Sequence, residues 1–115
     1  MSFFVINPDA TYAFVDDTTL AAKQKAVGGY IGFVSVRNAR ALDIYVNEEG
    51  LLRGLEPNPL GSAVARACGF SMGFDLAGPV IVSSARNEGA ASLDVEQKKY
   101  VQGLLETLVK SVAGQ

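Results

Sequence analysis

Two segments decide the fold. Tyr30-Ile31-Gly32-Phe33-Val34-Ser35-Val36 and Leu42-Asp43-Ile44-Tyr45-Val46 read as strands joined by the polar turn Arg37-Asn38-Ala39-Arg40. In the second segment Leu42, Ile44 and Val46 alternate with Asp43 and Tyr45, the two-residue period of a half-buried strand. In the first, Tyr30, Gly32, Val34 and Val36 share a face while Ile31 and Phe33 point the other way, so both faces are expected to be partly covered. Asn47-Glu48-Glu49-Gly50 is the next turn, with Gly50 placed for a positive φ, and residues 51–55 form a short run able to pair back. Tight turns on both sides imply antiparallel pairing.

Toward the N-terminus, residues 3–6 and 11–15 flank the turn Asn7-Pro8-Asp9 and read as a hairpin. Asp16, Asp17 or Thr18 is placed to cap a helix running to about Val27, with Leu20, Gln24 and Val27 as a narrow apolar stripe. Gly28 ends it in the left-handed conformation that a residue without Cβ adopts freely. Toward the C-terminus, Asn58-Pro59 opens a second helix, with Leu60, Val64 and Cys68 on one face and Gly69 at its end. A last strand covers residues 80–83, and Pro79 fits at its start. After a small-residue linker at residues 86–92, Asp94 and Gln97 make a capping box for the longest helix, which Gly114 ends. Its apolar positions Val101, Leu104, Leu105, Leu108, Val109 and Val112 span a wide arc, predicting a homo-oligomer, most simply a two-fold dimer. The order is β-β-α-β-β-α-β-α, with an optional extra strand at residues 51–55. This is an α+β fold with a mainly antiparallel sheet: residues 1–92 form the sheet domain, and residues 93–115 a helix of the same domain.

Length and composition narrow the chemistry. The chain has 115 residues, 49% of them hydrophobic, enough for one core and no more. It has no histidine, no tryptophan and one cysteine. Serine or cysteine hydrolase machinery that depends on histidine is therefore excluded, as are Cys/His zinc sites and an intrachain disulfide. Ten basic against 12 acidic residues give a net charge of −2, and no segment carries a basic excess, so duplex nucleic acid is not an expected partner. The start of the chain lacks a basic segment followed by a long apolar run, and no apolar run reaches the roughly 20 residues of a membrane helix. The expected setting is cytoplasmic.

Few residues invite a chemical reading. Gly28-Gly29-Tyr30-Ile31-Gly32 closes a helix and opens a strand, the reverse of a dinucleotide-binding loop. Asp16-Asp17 and Glu48-Glu49 are turn acids without the spacing of a cation loop, so no metal site and no cofactor are expected. Cys68 lies on an apolar stripe and reads as a buried small hydrophobe. The best ligand candidates are Arg53 and Arg66, with Arg37 and Tyr30 as helpers: guanidinium pairs with phosphate or carboxylate, and the tyrosine offers a stacking face. Gly28 and Gly50 are structural candidates.

Val46-Asn47-Glu48-Glu49-Gly50-Leu51-Leu52-Arg53-Gly54-Leu55-Glu56-Pro57-Asn58, preceded by Ala26-Val27-Gly28-Gly29-Tyr30-Ile31 and followed by Gly78-Pro79-Val80-Ile81-Val82, resembles the signature of a small uncharacterised domain family. That family occurs in bacteriophages, bacterial genomes, plasmids and some large viruses. The resemblance covers about residues 20–84 and leaves the C-terminal helix outside. The chain departs from it at Gly32, where an acidic residue is common. The resemblance implies a protein of a phage or mobile element acting in the host cytoplasm. With no catalytic constellation, the expectation is a non-enzymatic binding protein. It would act in counter-defence by binding a host protein or a small anionic ligand such as a nucleotide signal. The alternative is an assembly protein that oligomerises through its C-terminal helix.

Overall fold

The computed structural model describes residues 3–16, 19–50, 53–85 and 93–113. Eight elements follow in order: β1 (Phe3–Ile6), β2 (Tyr12–Val15), α1 (Leu20–Val27), β3 (Ile31–Val34), β4 (Leu42–Asn47), α2 (Pro59–Ala67), β5 (Val80–Ser84) and α3 (Val95–Ala113). The strands form one sheet in the order β2-β1-β5-β4-β3, antiparallel throughout. The element order is the one read from the sequence. The optional strand at residues 51–55 is not present among the described residues: Arg53, Gly54 and Leu55 belong to a turn and its exit, closed by Leu55 N–H donating to the Gly50 carbonyl, while Leu51 and Leu52 lie outside them.

The alternation in β4 sets the two faces of the sheet. Leu42, Ile44, Phe4, Ile6, Val80 and Val82 point to the side covered by α2 and α3, where they join Leu60, Val64, Cys68, Val101 and Leu105 in the main core. Phe3, Val5 and Ile81 point the other way and pack under α1 with Val27. α1 has only eight residues; it lies over β5, β4 and the start of β3, where Ile31 packs beside Val27, and leaves Phe33 farther along β3 exposed.

The helix ends follow local chemistry. Thr19, rather than Asp16, caps α1 by accepting from Ala22 N–H, while Asp17 and Thr18 lie outside the described residues. Gly28 sits at φ 77° as its C-cap. In α3, Gln97 N–H donates to Asp94 Oδ1 and Asp94 N–H donates to Gln97 Oε1, the reciprocal pair of a capping box. Asn58 caps α2, and its amide also donates to the carbonyls of Ile6 and Gly78, at 2.8 and 2.9 Å. One side chain thus fastens the helix to the end of β1 and to the segment entering β5.

One expectation is corrected. Gly50 does not hold the left-handed φ; among the glycines of this region Gly54 does, at 66°. Gly50 is required by proximity instead, because a β-carbon there would stand 3.0 Å from the Ala77 carbonyl oxygen. Of the expected α1 stripe, Val27 is buried and Gln24 half-buried, while the side chain of Leu20 lies outside the description; Lys23 is buried as well, flanked by half-buried Ala22 and Ala26. The two alanines bring the helix close to the sheet, and the lysine stem serves as apolar surface. On α3, Val101 and Leu105 are buried, while Leu104, Leu108 and Val109 pack beside them and stay partly exposed, so part of the wide arc lies at the surface of one chain. The side chain of Val112, and Gly114, are outside the description.

Candidate functional site

The structure disperses the predicted ligand residues. Arg53 Nη1 donates to the Gly28 carbonyl, 3.1 Å away, and so caps the C-terminus of α1. Arg66 Nη2 donates to the Phe74 carbonyl and pairs with Asp75 at 3.1 Å. Arg37 lies at the other end of β3, with its backbone against Gly69. Tyr30 is 71% exposed at the entrance to β3. None of these four side chains lines the main cavities of the described residues; the arginine that does is Arg40, beside Asn38, Leu42, Cys68 and Tyr100. Guanidinium groups near turns were already matched to backbone carbonyls, which a sequence does not display.

A different constellation assembles on the open part of the α1 face, around Tyr45. β4 presents Asp43 and Tyr45 there, and β3 presents Phe33 directly opposite Tyr45. Their rings meet edge to face with centroids 5.7 Å apart. Lys23 reaches over from α1, its Nζ 5.2 Å from the centre of the Tyr45 ring. The Tyr45 hydroxyl donates to Asp43 Oδ2 at 3.4 Å, and Ser83, fully buried, stands opposite Asp43 on β5. Phe33 is 61% exposed, and Tyr45, which its ring meets, adjoins the Lys23 cation and the Asp43 carboxylate.

Burial shifts the titration of this group. It lowers the ammonium of Lys23 below the ordinary lysine range, against the attraction of Asp43. It raises the Tyr45 phenol, with the Asp43 charge and hydrogen bond acting in the same direction. Strand parity in the sequence sets Asp43 and Tyr45 apart from Leu42, Ile44 and Val46, and Phe33 apart from Val34 and Val36, a signal that pointed here. It missed Lys23, because a lysine on a short helix reads as solvated.

The remaining reactive group is inert. Cys68 is buried at the end of α2, and loss of solvent pushes its thiol up to about 11. Folded protein at pH 8 is therefore expected to resist a thiol reagent for hours, while protein in guanidinium labels within minutes; labelling at equal rates would contradict this burial. Among the described residues no three potential metal ligands cluster. No helix among them is long and apolar enough to cross a membrane.

These features define a small α+β domain with an antiparallel sheet, two helices on one face and a single short helix on the other. The chain belongs to the family described as a domain of unknown function, DUF3846, whose profile matches residues 1–106. The match takes in the N-terminal hairpin and more than half of α3, so it extends beyond the 20–84 segment that carries the motifs. Comparison with curated proteins and with solved structures finds no match.

Proposed function

We propose that this domain is a non-enzymatic binding protein that takes a small anionic ligand with a flat aromatic part, a nucleotide being the fitting class, on the sheet face around Tyr45. The observation that supports it is the exposed Phe33 ring held against Tyr45 with the Lys23 ammonium alongside. An aromatic face on an antiparallel sheet stacks a base without a closed pocket, contributing about 1–3 kcal/mol per base. Lys23, itself buried, places its ammonium beside Tyr45 and favours an anionic ligand over the cluster, and Asp43 accepts from base N–H groups. A protein of this kind fits the setting of a phage or mobile element acting in a host cytoplasm, where sequestering a nucleotide signal or occupying a host protein blunts defence. The alternative, assembly through α3, rests on Leu104, Leu108 and Val109, which are only partly buried within one chain.

The test is a thermal-shift and calorimetric screen of mononucleotides and short cyclic or linear oligonucleotides. A ligand of this class raises Tm and is expected to bind Phe33→Ala and Lys23→Gln about 10-fold or more weakly, in line with the loss of one stacked base. Nucleotide binding untouched by either substitution, or absent altogether, would overturn the reading.

A further inference from the structure

β3 is an edge strand, and its register fixes which of its backbone groups are free. Glu48 N–H donates to the Tyr30 carbonyl, so Tyr30 and Glu48 form a hydrogen-bonded pair. In an antiparallel ladder such pairs alternate. Gly32 with Val46 and Val34 with Ile44 therefore also bond inward, whereas Ile31 with Asn47 and Phe33 with Tyr45 do not. The far side of β4 agrees: Ala85 N–H donates to the Ala41 carbonyl, which gives Asp43 and Tyr45 to β5. The N–H and C=O groups of Ile31 and Phe33 consequently point out of the sheet.

This edge lacks the usual protection. β3 contains no charge and no proline. Tyr30 and Phe33 are two of the most exposed large hydrophobic residues described, and both lie at the β3 edge.

We infer that two copies of this chain pair through β3, antiparallel about a two-fold axis at Gly32, to make a continuous ten-stranded sheet. The edge is self-complementary in this register. Ile31 of each copy exchanges two hydrogen bonds with the partner's Phe33, so all four outward groups of each strand are used. Across the axis Phe33 packs beside the partner's Ile31 on the α1 face, and Tyr30 stands opposite the partner's Val34 at the strand entrance. Gly32 meets the partner's Gly32 at the closer, non-bonded spacing, where no side chain intervenes. An axis normal to the sheet keeps both copies of α1 on one side. The two Phe33 residues then become diagonal neighbours with Cα atoms about 7–8 Å apart, so the partner's Phe33 extends the aromatic surface. The pairing rests on the backbone and stands independently of any ligand.

Two measurements on the full chain without added ligand test it. Sedimentation from about 1 to about 200 μM is expected to show a monomer–dimer equilibrium, because a homodimer's population depends on protomer concentration. Over the same range the amides of Ile31 and Phe33 should become protected from hydrogen exchange, while those of Gly32 and Val34 are protected at every concentration. Phe33→Pro removes one outward N–H and no inward one, and is expected to weaken dimerisation by about 10-fold or more with an unchanged circular dichroism spectrum. If that variant misfolds, the wild-type amide pattern decides. A wild-type monomer throughout the range, or a dimer in which the Ile31 and Phe33 amides stay unprotected, as one formed through α3 or with another surface would give, overturns the inference. Loss of nucleotide binding in Phe33→Ala with dimerisation retained would concern the ligand reading alone.

Discussion

Asn58→Asp is expected to lower the melting temperature by about 15 °C, taking roughly 4 kcal/mol of lost stability at about 4 °C per kcal/mol for a domain of this size. The reason lies in what each side-chain atom does. Oδ1 accepts from Gly61 N–H and caps α2. Nδ2 donates to two main-chain carbonyls, of Ile6 and Gly78, in a fully buried position. Aspartate keeps the cap and replaces the double donor with a carboxylate facing two carbonyl oxygens. Each buried carbonyl left without a donor costs about 1–3 kcal/mol. Asn58→Ala loses the cap as well but adds no charge, and is expected to fall within about 1 kcal/mol of the aspartate variant. Denaturant unfolding of the three proteins checks this. A mild Asp variant beside a severe Ala variant would assign the residue's weight to the helix cap instead of to the carbonyls.

Gly69→Ala is the second large effect. Gly69 follows α2 at φ 109°, a region almost closed to residues with a β-carbon. The added methyl would also fall within the van der Waals shell of the Arg37 carbonyl. Backbone strain of about 1–3 kcal/mol and a clash with a main chain that is itself fixed should together cost about 4 kcal/mol. Gly28→Ala is the internal comparison: it too sits at positive φ, 77°, but nothing lies within 4 Å of its β-position, so only about 1 kcal/mol is expected. Equal destabilisation of the two variants would show that contact with Arg37 adds nothing.

The parts of the fold governed by near neighbours were legible in the sequence. The alternation in residues 42–46 gave the β4 faces, and Asn58-Pro59 and Asp94 with Gln97 marked two helix starts at the positions observed. Gly28 marked a helix end. What could not be read depends on distant partners. β5 pairs with both β1 and β4 across long stretches of chain. Of the arginines singled out for ligand binding, Arg53 found a carbonyl 25 residues away at Gly28, and Arg66 paired across an irregular loop with Asp75. The aromatic cluster was half visible: strand parity set Asp43 and Tyr45 apart from Leu42, Ile44 and Val46, and Phe33 apart from Val34 and Val36. That Lys23 would be buried there depends on how closely an alanine-bearing helix approaches the sheet, which is a tertiary property.

The position of β5 has a consequence for how the chain reaches its folded state. β1–β2 and β3–β4 are local hairpins, each able to form soon after its own residues are available. They do not touch as neighbours in the sheet; the strand that joins them comes from residues 80–84. Until that segment arrives, each hairpin has an uncovered inner edge, and neither has its full share of the main core. On a ribosome the nascent chain would therefore carry two incomplete sheets from the end of β4 until β5 is made, about a third of its synthesis. Docking of β5 between them is the step that turns local structure into a cooperative domain, and it closes the longest loops at the highest entropic cost.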